Sequence, residues 1–270
     1  MEQIYDFLKQ LAANNNREWF NANKAHYLEV QAKFNKFAEE LIEAISQWDE
    51  DIAASNLTVK DCTYRIYRDT RFSKNKAPYK THMGVFICKG GKKAPYAGYY
   101  FHIEPHLTLP DSTPNPTQKE NTDNDKRETI SQQENGLKCE ENRISSDNLL
   151  SLGGCVLLAG TYRFENKVLR SIRDEISVNG ESFLDSIREA DGFKQMEGGS
   201  LKKVPAEFAF APENVHHLLK QKEFILGKFI DEEYLYADNL TERISEDFKK
   251  SANFIHKINM AVDYAIEEIQ

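Results

Sequence analysis

The sequence predicts an α+β protein: a single domain in which an antiparallel sheet is packed by flanking helices and interrupted by a disordered insertion. Three observations carry this expectation. Apolar residues recur at helical spacing near both ends of the 270-residue chain, short β-rich runs occupy its middle, and a long polar tract divides those runs. Hydrophobic residues at 40% and aromatic residues at 11% supply enough apolar surface for one core, which excludes global disorder. Residues 1–270 are therefore taken as one domain, with the polar insertion at about 110–148.

Ile4, Phe7, Leu8 and Leu11 mark a first helix, which Asn14 to Asn16 break while offering a side-chain cap to the next. The second helix is expected from about Arg17 to about Gln47, because Phe20, Tyr27, Val30, Phe34, Phe37, Leu41 and Ile45 step by three, four or seven. Trp19 and Phe20 then staple the two helices together rather than lean toward a site.

From Thr58 the pattern changes to short runs rich in β-formers: Thr58 to Tyr67, His82 to Cys88, and Tyr96 to Glu104. If the loop is the seven residues from Lys89 to Pro95, Cys88 pairs with Tyr96, Phe86 with Gly98, Gly84 with Tyr100 and His82 with His102. That register puts His82, His102, Tyr100 and Glu104 on one face. Pro110 to Asn148 is almost without apolar residues, so it cannot bury enough surface to offset its ordering entropy. Gly154 to Gly160 resumes a buried strand, with Gly153, Gly154 and Gly160 as points of close backbone approach. Helices follow from about Glu165 to Val178 and from about Glu181 to Ala190. Lys202 to Phe208 reads as extended, Pro212 opens a helix through about Leu226, and Thr241 to Phe248 and Asn253 to Ile269 close the chain as helices.

The chemistry concentrates in Tyr64 to Gly84. Arg65, Arg68, Arg71, Lys74, Lys76 and Lys80 surround a single acid, Asp69, giving +5 in a chain whose net charge is −8. A local field opposed to the global one points at a ligand of opposite sign. No glycine lies between Arg65 and Met83, so a backbone phosphate cradle is excluded and any anion must be held by side chains. Arginine suits that role because its fork matches two oxygens, while lysine adds point charge. The three arginines converge only if the chain bends near Asp69 and Thr70, and Asp69 is placed to pin one of them. Most charge runs are solvated, salt-bridged loops. Here Tyr64, Tyr67, Phe72, Pro78 and Tyr79 interleave with the cations, which favours a site.

His82, His102 and Glu104 are the right types for two histidines and a carboxylate around iron or zinc. Yet His-x-Glu arises often by chance and hydrogen-bonded sheet histidines are common, so the sequence assigns no metal. Proton transfer beside a bound anion is the role expected of His102, with Tyr79 and Glu104 as the other acid/base candidates. No Ser-His-Asp order, nucleophile elbow or His-Glu-x-x-His is present. The adjacent His216 and His217 cannot face one ligand together from a helix.

The run from Arg68 to Lys80, RDTRFSKNKAPYK, resembles the hallmark of a bacterial family catalogued only as domain of unknown function 2461. Asn14 to Phe20, Gly98 to Pro105 and Leu201 to Phe224 fit the same family, although Asn75 and Glu207 stand where members more often carry Asp and Gly. The resemblance implies a shared α+β fold and no established activity.

Two functions compete. In the first, Arg65, Arg68, Asp69, Arg71, Lys76, Tyr79 and Lys80 form a site for a small phosphate- or carboxylate-bearing metabolite. In the second, the patch meets single-stranded nucleic acid, stacking bases on Tyr67, Phe72 and Tyr79 and continuing through Lys89, Lys92 and Lys93, or docks on an acidic partner. A closed pocket favours the first. Cofactor and reaction stay open. The N-terminus has no basic region followed by an apolar run, no stretch is long enough to span a membrane, and Cys62, Cys88, Cys139 and Cys155 are far apart, so a cytoplasmic protein with reduced thiols is expected.

Overall fold

The apolar stripe at the start of the chain winds as α1 (Glu2–Ala13), burying Ile4, Tyr5, Phe7, Leu8 and Leu11. This comes from a computed structural model, which describes residues 1–71, 73, 75–105, 154–161, 164–196 and 198–267. Asn16 caps α2 (Arg17–Ala22) by accepting a hydrogen bond from the Trp19 amide at 2.9 Å. The long helix expected from Arg17 is two helices. Asn23 leaves helical geometry, and its side-chain amide donates to the Trp19 carbonyl at 2.9 Å, so α3 (Lys24–Ser46) starts afresh.

After α4 (Glu50–Ala54), the strand expected over Thr58 to Tyr67 is not formed. Thr58 and Asp61 make a reciprocal capping box that opens the short α5 (Val59–Cys62), leaving only isolated bridges from Thr63 to Val85 and from Tyr67 to Tyr79.

The sheet is antiparallel throughout, with strands β1 (Met83–Cys88), β2 (Gly98–Ile103), β3 (Cys155–Thr161), β4 (Lys194–Gln195) and β5 (Phe224–Ile230) in the order β1-β2-β3-β5-β4. Cys88 pairs with Gly98 and Gly84 with His102, two residues away from the expected register, because the connection runs from Lys89 to Ala97. A slip of two preserves the faces. Tyr99 and Phe101 still point into the helices, where they meet Trp48 at 5.4 Å, Phe248 at 5.3 Å and Phe37 at 5.0 Å between ring centroids. Tyr100, His102 and Glu104 still point the other way.

β5 lies where the helix from Pro212 was expected to run through Leu226. Pro212 opens only a short 3-10 turn (Glu213–Val215) and α7 (His216–Leu219). Ahead of these, after β3, comes α6 (Asn166–Glu189), which spans both expected helices with its break at Asn179, where φ is −113° and ψ 31°. Arg173 of α6 is buried and donates to the carbonyls of Leu219 and Gln221 at 2.8 and 2.9 Å, closing the end of α7. At Gly160, φ is +132° and a Cβ would collide with the Phe224 carbonyl, so the close backbone approach expected there is made. Lys202 to Phe208 is not extended throughout: the chain bends at Lys202 and Lys203, and Ala206–Phe208 coil as a 3-10 turn.

The chain ends in α8 (Glu232–Leu235), α9 (Leu240–Lys250) and α10 (Ala252–Glu267). One contiguous apolar cluster, from Ile4 to Ala265, fills the space between the sheet and the helices. The opposite sheet face carries only a small cluster of Val156, Met196 and Ile225 with Leu158 against it, and Phe229 is exposed there. The insertion expected at about 110–148, Cys139 included, lies outside the described residues, as do Phe72 and Lys74. Among the described residues no helix is long and apolar enough to cross a membrane.

Candidate functional site

The basic stretch folds as an irregular hairpin. The Arg68 amide donates to the Pro78 carbonyl at 2.9 Å and the Lys80 amide to the Ile66 carbonyl at 2.8 Å, with Tyr67 and Tyr79 bridged between them. Tyr79 is buried and stacks on Phe20 at 3.9 Å, Tyr67 meets the same ring edge-on at 5.8 Å, and the Asn15 side chain holds both backbone groups of Tyr79. Tyr67 and Tyr79, two of the aromatic residues that interleave with the cations, thus anchor the hairpin to α2. Burial pushes the Tyr79 hydroxyl above its usual pKa, consistent with a wall of the site.

Side chains alternate along extended backbone, so Arg68 and Lys80 turn away from Phe20. Both lie close enough to His82 to disfavour its protonation. Lys80 is half-buried with its ammonium 5.2 Å from the Tyr64 ring centroid, and burial first, then the charges of Arg65 and Arg68, lower its pKa. Among the described residues, no carboxylate comes within ion-pair distance of Arg65, Arg68 or Lys80.

Arg71 and Lys76 fold back on their own loop. Asp69 pins Arg71 in a two-pronged pair at 3.0 and 2.6 Å, and that hydrogen bonding holds the Asp69 carboxyl below its usual pKa. Lys76 donates to the Thr70 carbonyl at 3.0 Å. Asn75 accepts from the Ala77 amide at 2.9 Å, a turn contact that an aspartate makes equally well.

Beside the hairpin, the open sheet face gathers His82, His102 and Glu104. One ligand-capable atom of each lies within 4.8 Å of the others. His102 Nε2 is 3.3 Å from Glu104, its Nδ1 is 3.0 Å from the Tyr100 hydroxyl, and the His82 and His102 rings lie 4.7 Å apart. Thr81 donates its hydroxyl to Glu104, and His82 Nδ1 approaches the same carboxylate at 3.9 Å. Burial first, then the neighbouring His102, Lys80 and Arg68 against the opposing pull of Glu104, lowers His82 to about 4, so it is neutral near pH 7. Burial alone would raise the Glu104 carboxyl, but the hydrogen bonds from His102 and Thr81 outweigh it and hold the carboxyl below its usual pKa. The result is a short relay, Tyr100 to His102 to Glu104, able to hold or pass a proton.

The sequence missed two residues of this cluster, Thr81 and Tyr100, as site residues. Thr81 carries no signal beyond its place between Lys80 and His82. Tyr100 was on the right face, and Gly84 was the clue to its role: a Cβ there would collide with the Tyr100 ring, which lies across the glycine. Two clefts lie elsewhere. One is lined by Asp49, Asp51, Lys89 and Asn259, the other by Lys33, Glu40 and Tyr236. In the first, Lys89 is already committed to Asp263 at 2.9 Å and Asp51 at 3.7 Å.

Fold and site together define an α+β protein whose open sheet face joins a histidine–carboxylate relay to a basic hairpin. The chain belongs to the family described as conserved hypothetical protein, DUF2461, which matches residues 3–138 and 149–256 and so includes both parts of the site. No curated protein and no solved structure matches the chain.

Proposed function

We propose that the protein binds a small phosphate- or carboxylate-bearing metabolite between Arg65, Arg68 and Lys80 and the sheet relay, with His102 and Glu104 as acid/base groups. The observation that carries this reading is the contrast in partners: Asp69 pairs with Arg71, while no carboxylate among the described residues comes within ion-pair distance of Arg65, Arg68 or Lys80, which lie close enough for Arg65 and Arg68 to lower the pKa of Lys80. Gathered like charges cost free energy that an anionic ligand recovers. Asp69, Arg71, Lys76 and Tyr79 support the hairpin around that site rather than touch the ligand.

Nucleic acid fits less well. A stripe of cations needs Lys89 and Lys92, but Lys89 is held by Asp263 and Asp51, and Lys92 donates to the Lys60 carbonyl. Cys62, Cys88 and Cys155 are free and buried, which supports a cytoplasmic location. The test is a thermal-shift screen of inorganic phosphate, phosphorylated metabolites, carboxylates and short oligonucleotides. A ligand at a hundred times its Kd adds about 2.7 kcal/mol of stability. Stabilisation by small anions supports the reading, whereas stabilisation by oligonucleotides alone favours the nucleic-acid function.

A further inference from the structure

We propose that His82, His102 and Glu104 bind one divalent first-row transition ion such as zinc or iron. The expectation from sequence was no metal, because the set of His82, His102 and Glu104 is too unspecific on spacing alone. The fold adds what spacing on one strand cannot show. His82, next to the start of β1, reaches the same point as His102 and Glu104, with all three donors within 4.8 Å of one another.

Two imidazole nitrogens and one carboxylate oxygen suit zinc, iron, nickel or copper, and are too nitrogen-rich for magnesium or calcium. Bonds of about 2.1 Å to such an ion put neighbouring donors about 3.0–3.4 Å apart. His102 and Glu104, at 3.3 Å, already meet that spacing. His82 must close by something on the order of 1 Å, and its side chain, 32% exposed against 2% for His102, has the room to swing.

Supporting contacts distinguish this cluster from a chance one. Metal-binding histidines are oriented through their second ring nitrogen, and ligating carboxylates are themselves hydrogen-bonded. Here the Tyr100 hydroxyl holds His102 Nδ1 while Nε2 faces Glu104, and Thr81 holds the other oxygen of that carboxylate. Among the described residues His82 has only the long approach to Glu104, so a ring lone pair is available. Arg68 and Lys80 face the cluster from the hairpin and oppose a bare cation, so an added anion should tighten the metal. The ligand set itself does not depend on the anion reading.

The experiment strips the full chain with a chelator, exchanges it into buffer free of phosphate and sulfate, and titrates cobalt(II) and zinc(II) by calorimetry and visible absorption. One equivalent is expected, with cobalt bands free of thiolate charge transfer. Tyr100→Phe should weaken binding by about 10–100-fold. Because His102→Ala removes a buried partner and can unfold the chain, His82→Asn and Glu104→Gln are measured beside it, each checked by circular dichroism. Loss of the bound equivalent in either folded variant supports the site. No binding by the wild type, thiolate bands, or unchanged affinity in folded His82→Asn and Glu104→Gln would overturn it. Without added anion, this result stands apart from the anion screen.

Discussion

Asp247 and Glu104 are both nearly buried carboxylates, 6% and 9% exposed, in opposite surroundings. Asp247 takes Lys228 and the Tyr234 hydroxyl on one oxygen, both at 2.6 Å, and Lys250 on the other at 3.0 Å. Each neighbouring lysine is spent on it. Glu104 is bonded by Thr81 and His102, while no carboxylate among the described residues comes within ion-pair distance of the nearby Arg68 and Lys80. A charge group that closes on itself serves the fold, and the cations left over beside the proton relay are what the proposed anion site rests on.

The largest expected effect falls on the closed group. Asp247→Ala leaves two lysines and a tyrosine without their acceptor and should cost about 3 kcal/mol, measured by guanidinium unfolding. Burial alone would raise the Asp247 carboxyl, but the bonds from Lys228, Tyr234 and Lys250 outweigh it and hold it below 3.8. The stabilisation is therefore present above that value and lost as pH falls through the lower folded pKa. Asp247→Asn should flatten this acid limb of a stability–pH curve. A limb of unchanged steepness would detach Asp247 from acid unfolding.

A smaller effect is expected where the hairpin meets the helices. Tyr79→Leu removes the stack on Phe20 and should cost about 1 kcal/mol in the same unfolding measurement. It should also weaken the response to anions by loosening Arg68 and Lys80. An anion response equal to wild type would show that the stack does not position the cations.

What the sequence made legible were the elements with a single dominant signal. The stripes of α1, α9 and α10, the strands of the β1-β2 hairpin and the shared face of His82, Tyr100, His102 and Glu104 follow from period 3.6 or period 2. The register depended on a loop length that period cannot supply. β5 was hidden because Phe224 to Leu226 is apolar on both faces, flanked by β3 and β4, and continues the helical spacing of Leu218 and Leu219. The capping box at Thr58 and Asp61 was present in the sequence and outweighed by the β-formers around it. At the site, Asp69 pinning an arginine was legible, but which one it takes depends on the turn of the loop. That choice, Arg71, is what leaves Arg65 and Arg68 over.

The smallest expected effect tests the central claim. Arg68→Ala and Lys80→Ala each remove a cation that repels its neighbours and completes no ion pair among the described residues. In phosphate-free buffer the thermal midpoint of both should stay level with the wild type or rise slightly. Added phosphate or sulfate should raise the wild-type midpoint and leave both variants unmoved. If both variants instead melt well below a wild type that ignores anions, the cations hold the fold together and the anion site is refuted.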